Sequence, residues 1–237
     1  MKTTIPGLVG VWLVALAAAA DAADSPENGG RTGLYVIADA GVNFVQNVGF
    51  KSIAGVDVAG TEVEIDPGAR ATLGVGWAFV PDWSVELESG VACNETKTSS
   101  PPGNSFLNIH SARVWVVPVT VGLTWRPTIA PQPKSGIEIE YGQKFLRKAH
   151  PYIGAGFGGA TFFGEFKASS PFETLKDSGS DTVFSFYAKA GLTWDVTSNV
   201  ELGVQYRFSH FSGFTIKQTE SEDILAHTVS AALRFKF

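Results

Sequence analysis

Cysteine is almost missing from this 237-residue sequence. Cys93 stands alone, so no internal disulfide can form, and it reads as a small apolar side chain. Long apolar runs are missing too. After the first twenty or so positions nothing is long enough for a helix to cross a membrane, which excludes an inner-membrane helical protein. A basic excess is also lacking. The formal net charge is −5, which leaves no electrostatic footprint for nucleic acid. Histidine is scarce, and His110 and His150 fall in connecting segments away from any second ligand. Neither a metal site nor a cofactor is expected.

What is present begins at the two ends. Lys2 supplies a short positive region. Ile5 to Ala20 comes next as an uncharged run, and Ala18-Ala19-Ala20 and Ala20-Asp21-Ala22 both have the small-x-small form of a cleavage site. Residues 1–22 therefore read as a cleaved secretory signal peptide, and residues 23–237 as one domain. No cysteine comes after the small residues, so a lipid anchor is not expected. At the other end Val229, Ala231, Leu233, Phe235 and Phe237 alternate with Thr228, Ser230, Ala232, Arg234 and Lys236. A strict two-residue period marks a strand with one apolar and one polar face. The sequence ends on an aromatic residue of the apolar parity, Phe237.

Seven earlier segments repeat the pattern, near 33–44, 68–79, 83–94, 112–125, 151–163, 182–194 and 200–209. In 112–125 the alternation is weaker, because Val114, Val116 and Pro118 share the polar parity with Thr120 and Thr124. The connections alternate in length. Those at 45–67, 95–111, 164–181 and 209–223 are long, whereas 80–82 and 195–199 are short. Half-polar strands, an even strand count and long loops on one side predict an all-β fold: an eight-stranded, antiparallel, up-and-down transmembrane barrel. The connection 126–150 breaks the length rule, and an added hairpin there is a ten-strand alternative. Pro127, Pro131 and Pro133 argue against its pairing.

Aromatic residues cluster on the apolar parity at the strand ends. Trp77, Trp83, Trp125, Trp194, Phe235 and Phe237 fall at one level, and Trp115, Tyr206 and Phe208 at the other. Trp115 precedes Trp125 by ten residues. At about 3.3 Å per residue and ~45° tilt that is a climb of about 23 Å, close to the ~25 Å apolar band of an outer-membrane barrel. Two interfacial girdles are expected.

The opposite parity collects Asp39, Arg70, Glu86, Glu88, Lys189, Glu201, Arg207 and Arg234. An eight-stranded barrel is just wide enough to be filled by side chains, so these four acids and four bases are expected to pair across the lumen and plug it. A narrow pore is the alternative. Gly154-Ala-Gly156-Phe-Gly158-Gly159 matches a dinucleotide fingerprint by letter, but Ala160-Thr-Phe-Phe-Gly164 after it is poor helix sequence. Those glycines are expected to thin the inward face of a strand.

One grouping has catalytic flavour. His210 and Ser212 lie on the lipid-facing parity, with Glu220 or Glu222 available to orient the imidazole. It is faintly similar to the lipid A 3-O-deacylases, barrels carrying His-x-Ser-Asn, but Gly213 stands where the Asn would be.

Pro151-Tyr-Ile-Gly-Ala-Gly-Phe-Gly-Gly159, Leu202-Gly-Val-Gln-Tyr-Arg-Phe208 and the Phe-ended last strand together resemble the opacity-protein and OmpA-like outer-membrane β-barrel family. The resemblance covers most of residues 23–237. It implies a non-enzymatic integral outer-membrane protein, embedded in lipid and lipopolysaccharide; because the last strand reaches Phe237, no appended peptidoglycan-binding domain is expected. It also implies that Phe237, with Phe235 and Leu233, is the signal read by the barrel-assembly machinery. Any extracellular ligand is expected at loops 45–67 and 164–181, which are long and mixed in charge.

Overall fold

A computed structural model describes residues 32–53, 56–95, 108–127, 149–169 and 174–237 of the chain. The signal-peptide expectation and the 128–148 hairpin alternative lie outside these residues. Among the described residues twelve strands are formed: β1 (Gly33–Val45), β2 (Val48–Ile53), β3 (Val56–Val63), β4 (Gly68–Val80), β5 (Trp83–Glu95), β6 (Asn108–Trp125), β7 (Ala149–Ser169), β8 (Thr174–Asp195), β9 (Val200–Phe211), β10 (Thr215–Ile216), β11 (Thr219–Ser221) and β12 (Ile224–Lys236).

Eight of them close into an antiparallel barrel in the order β1-β12-β9-β8-β7-β6-β5-β4. The seam is the β1–β12 pair, in register from Tyr35↔Lys236 to Val45↔Ala226. Closure leaves no free edge, the condition under which strands can cross a bilayer, since every backbone polar group is then paired. The alternation seen in sequence becomes a physical inside and outside. Along β9, Glu201, Gly203, Gln205, Arg207 and Ser209 are buried, while Leu202, Val204 and Tyr206 are exposed. Trp77, Trp83, Trp115, Trp125, Phe235 and Phe237 are likewise exposed on the outer surface. Trp194 and Phe208 are half-buried on the same parity.

Inward glycines are there because neighbouring tyrosines lie across them. A Cβ on Gly76 would meet the Tyr35 ring at 2.1 Å, and one on Gly156 would meet the Tyr187 ring at 2.6 Å. Gly154, Gly156 and Gly158 pair with Lys189, Tyr187 and Ser185 of β8 in a continuous antiparallel register, and the strand runs on past them with no helix.

Two loop expectations are corrected. Most of 164–181 is strand: β7 and β8 stay paired out to Ser169↔Thr174, so they run to 21 and 22 residues. That exceeds by about ten residues what a bilayer needs, so the hairpin projects past the membrane. Segment 45–67 is not an open loop either. Its strands β2 and β3 join β10 and β11 in a second, four-stranded sheet, ordered β10-β11-β2-β3. Polar and glycine-rich composition suggested loops here, but a strand end needs only a partner, and period-2 placement of Val48 and Phe50 gives this sheet a buried face. Two short turns, between β4 and β5 and between β8 and β9, lie at the end opposite this sheet, the arrangement expected of a barrel whose sheet end faces out of the cell.

Candidate functional site

The barrel interior has two storeys. The lower one is charged. Glu88 accepts from Lys189 at 2.5 Å and also from Arg207. Glu86 accepts from Lys189, from Arg234 at 3.3 Å, from Thr124 at 2.9 Å and from the Tyr35 hydroxyl at 2.6 Å. Lys189 thus bridges two carboxylates, and all four of Glu86, Glu88, Lys189 and Arg207 are buried. Arg207 also stacks its guanidinium 4.0 Å from the Tyr187 ring, and Arg234 lies 4.1 Å from that of Tyr35. Burial removes water from these charges. The cost is offset only where each ion is paired and its remaining donors or acceptors are satisfied, which this arrangement nearly achieves.

Six of the eight expected lumen charges enter this network. Asp39 and Arg70 do not: one Asp39 oxygen has no hydrogen-bond partner, and Arg70 bonds only to Thr72 (3.3 Å) and Ser209 (3.2 Å). Two members were not anticipated. Arg126 holds Glu201 with both terminal nitrogens, at 2.9 and 2.5 Å, and Lys236 joins the same carboxylate. Arg126 lies just past the last residue of β6 and Lys236 ends β12, so both reach in from the end of the barrel opposite the outer sheet. Lys236 did fall on the polar parity of the last strand.

The upper storey is apolar. At the height of the outer aromatic belt the inward positions become Val114, Val116, Ala160, Phe162, Val183, Phe211, Ile224 and Ala226. The underside of the outer sheet seals them with Val48, Phe50, Val63, Phe214 and Ile216. Phe214 stacks on Phe162 at 5.1 Å and meets Phe50 edge-on at 6.5 Å. The weak alternation in 112–125 was the sequence signal for this layer, since the apolar residues on its polar parity line the storey.

The outer sheet is tied across the chain. Glu220 pairs with Ser52 and Ser221 with Phe50, and the Lys51 ammonium lies 2.7 Å from Glu220. The Glu220 hydrogen bond and charge hold the Lys51 pKa above its ordinary value.

The catalytic alternative is not assembled. His210 stacks on Phe186 at 4.7 Å and directs Nε2 at Asp223, 3.2 Å away, while its Nδ1 has no hydrogen-bond partner. The Ser212 amide is bonded to the Phe184 carbonyl, and Glu222 lies over Gly49. Asp223, not Glu222, is the acid at the imidazole. His227 is held by Tyr206 (2.6 Å) and Gln46 (3.2 Å) at the outer rim. Among the described residues no group of three or more His, Cys, Asp or Glu side chains is placed to hold a metal ion.

A closed eight-stranded barrel with an apolar, aromatic-rich outer surface is the frame for comparison with known proteins. The sequence profile of the family described as outer membrane protein beta-barrel domain matches residues 9–237. The chain belongs to this outer-membrane β-barrel family. It is thus an integral outer-membrane protein, and its exposed belt faces lipid. Solved structures agree in fold. Neisserial surface protein A is 16% identical, with a TM-score of 0.51 over 87% of this chain and 98% of its own. OprG of Pseudomonas aeruginosa is 15% identical, with a TM-score of 0.50 over 88% and 99%. The outer-membrane protease OmpT of Escherichia coli is 8% identical, with a TM-score of 0.52 over 90% and 99%. At such identities the likeness of this outer-membrane barrel to them is one of fold alone. A comparison with curated protein sequences finds no match.

Proposed function

We propose that this outer-membrane barrel is a closed, non-catalytic scaffold that holds a folded sheet at the cell surface for recognition. The carrying observation is the pairing of Glu220 with Ser52 and Ser221 with Phe50, which joins two distant connections into one sheet seated on an apolar base. The ion pairs of the lower storey and the apolar upper storey both oppose a water-filled path, which favours a scaffold over a pore. Lipopolysaccharide surrounds the exposed belt in this reading. An extracellular ligand would meet the outer sheet and the long β7–β8 hairpin. Phe237, with Phe235 and Leu233, would present the last strand to the assembly machinery.

The test is made on the full chain. Lys51→Cys in a Cys93→Ala background should be labelled on intact cells by a membrane-impermeant maleimide. The purified barrel should give no conductance steps in planar bilayers, and lipid A from expressing cells should keep all its acyl chains. Labelling only after permeabilisation would place the sheet on the wrong side. Discrete steps would make the protein a pore, and loss of an acyl chain abolished by Ser212→Ala would make it an esterase.

A further inference from the structure

The upper storey is not completely filled. A cavity of about 50 Å³ lies between its walls, bounded by Phe50, Val116, Phe162 and Phe214 and reaching Asn43, Asn94 and Arg70. Asn43 and Asn94 are spent on each other, through an Nδ2–Oδ1 bond of 2.8 Å, and on Thr228 and backbone carbonyls. Arg70 is different. Its residue is 6% exposed, it spans the lumen to Ser209, and among the described residues no carboxylate lies within ion-pair distance of it. Every other buried cation of the lumen touches at least one carboxylate.

A buried guanidinium bonded only to two hydroxyls is undercompensated, because Asp39 and Glu88 act on it only from beyond ion-pair distance and desolvation of an ion is best offset by an opposite charge in direct contact. Its planar fork is suited to bind a carboxylate with two donors. On the other side the walls are apolar, and such cavities exclude water and accept small apolar bodies. At roughly 10–15 Å³ per water-sized body, the space takes about four heavy atoms. We infer that the upper storey is a binding site for a short-chain carboxylate, with the carboxylate on Arg70 and the alkyl chain among Phe50, Val116, Phe162 and Phe214. The ligand would complete the charge pairing that the polypeptide leaves open at Arg70.

The experiment uses the full chain in lipid nanodiscs, free of detergent that would compete for an apolar site. Acetate, propionate and the neutral propionamide are titrated and followed by calorimetry and by chemical shifts of methyl-labelled valine. Acetate and propionate should saturate and propionamide should bind at least tenfold more weakly than propionate. Arg70→Gln should weaken the carboxylates by about tenfold or more, the scale of a lost charge-assisted contact. Arg70→Lys should restore part of that loss, and Val116→Phe, which fills the cavity, should abolish binding while leaving the gel shift of the folded barrel intact. The inference is overturned if the carboxylates do not saturate, if propionamide binds equally, or if Arg70→Gln and Val116→Phe bind as the parent does. If Arg70→Gln fails to fold, Val116→Phe and the propionamide comparison still decide.

Discussion

Glu88 shows how little slack the lower storey has. Its two oxygens serve two cations, Lys189 and Arg207, and each residue of the three is buried. Removing one partner of a buried ion pair is far costlier than never having had the pair, because the other charge stays in a poor solvent. Glu88→Gln is therefore expected to lower stability by about 3–5 kcal/mol. The check is the denaturant midpoint at which the folded, fast-migrating band on an unboiled gel gives way to the unfolded one. Replacing Glu88 and Arg207 together by leucines should cost less than the single change, since the buried charges leave as a pair; Lys189 keeps Glu86. A second residue-scale expectation concerns Gly76. Its missing side chain is where Tyr35 lies, and Tyr35 in turn bonds Glu86. Gly76→Ala should dislodge that ring, visible as a shifted Tyr35 hydroxyl environment and a lower midpoint.

Strands and sheets respond separately. The outer sheet rests on Phe214, which is 2% exposed and contacts Phe162 and Phe50. Truncating a buried Phe costs about 3–5 kcal/mol in a packed core. Phe214→Ala should spend that loss locally: limited proteolysis between residues 45 and 67 should accelerate while the barrel's own unfolding midpoint barely moves. The Lys51–Glu220 tether has its own pH signature. Lys51's folded pKa is raised, so its contribution is fully present below the ordinary lysine pKa and is lost as pH rises through the higher folded value. Protease protection of the sheet should be flat through neutral pH and decline only on strong alkalinisation. It should also weaken with added salt, since both groups are exposed.

Legibility from sequence divided along the same elements. The eight barrel strands were readable because a half-buried strand must alternate, and it did in 200–209 and 229–237. The outer sheet was not, because β10 and β11 are two and three residues long and give no periodicity to see. At the site, Glu86, Glu88, Lys189 and Arg207 were legible as one set of inward charges, but pairing is decided by the register between strands, which no single strand encodes. Hence Arg70 and Asp39 looked like ordinary members and Arg126, in a connection just past a strand end, was passed over. The apolar layer was visible at Val114, Val116 and Pro118 only as a fault in the pattern, and its meaning needed the opposing Phe162 and Phe214.

For the molecule as a whole, the charged floor and the apolar ceiling act on one question, whether water and ions can pass. Both argue that they do not, and the ceiling depends on two connections that meet only in the folded state. The β1–β12 seam has a further consequence. The first strand of the ring finds its second neighbour only in the last, so its eleven paired positions span almost the entire ring in sequence. Such non-local contact makes folding slow and leaves the growing sheet with two sticky edges until the end. Nothing short of the full set of strands is a stable stopping point. Deleting the segment from Leu233 to Phe237 should therefore not yield a slightly smaller barrel. It should yield chains that never acquire the heat-sensitive gel shift and that are cleared by envelope proteases, so abundance in the membrane reports on a single late event, the docking of one strand.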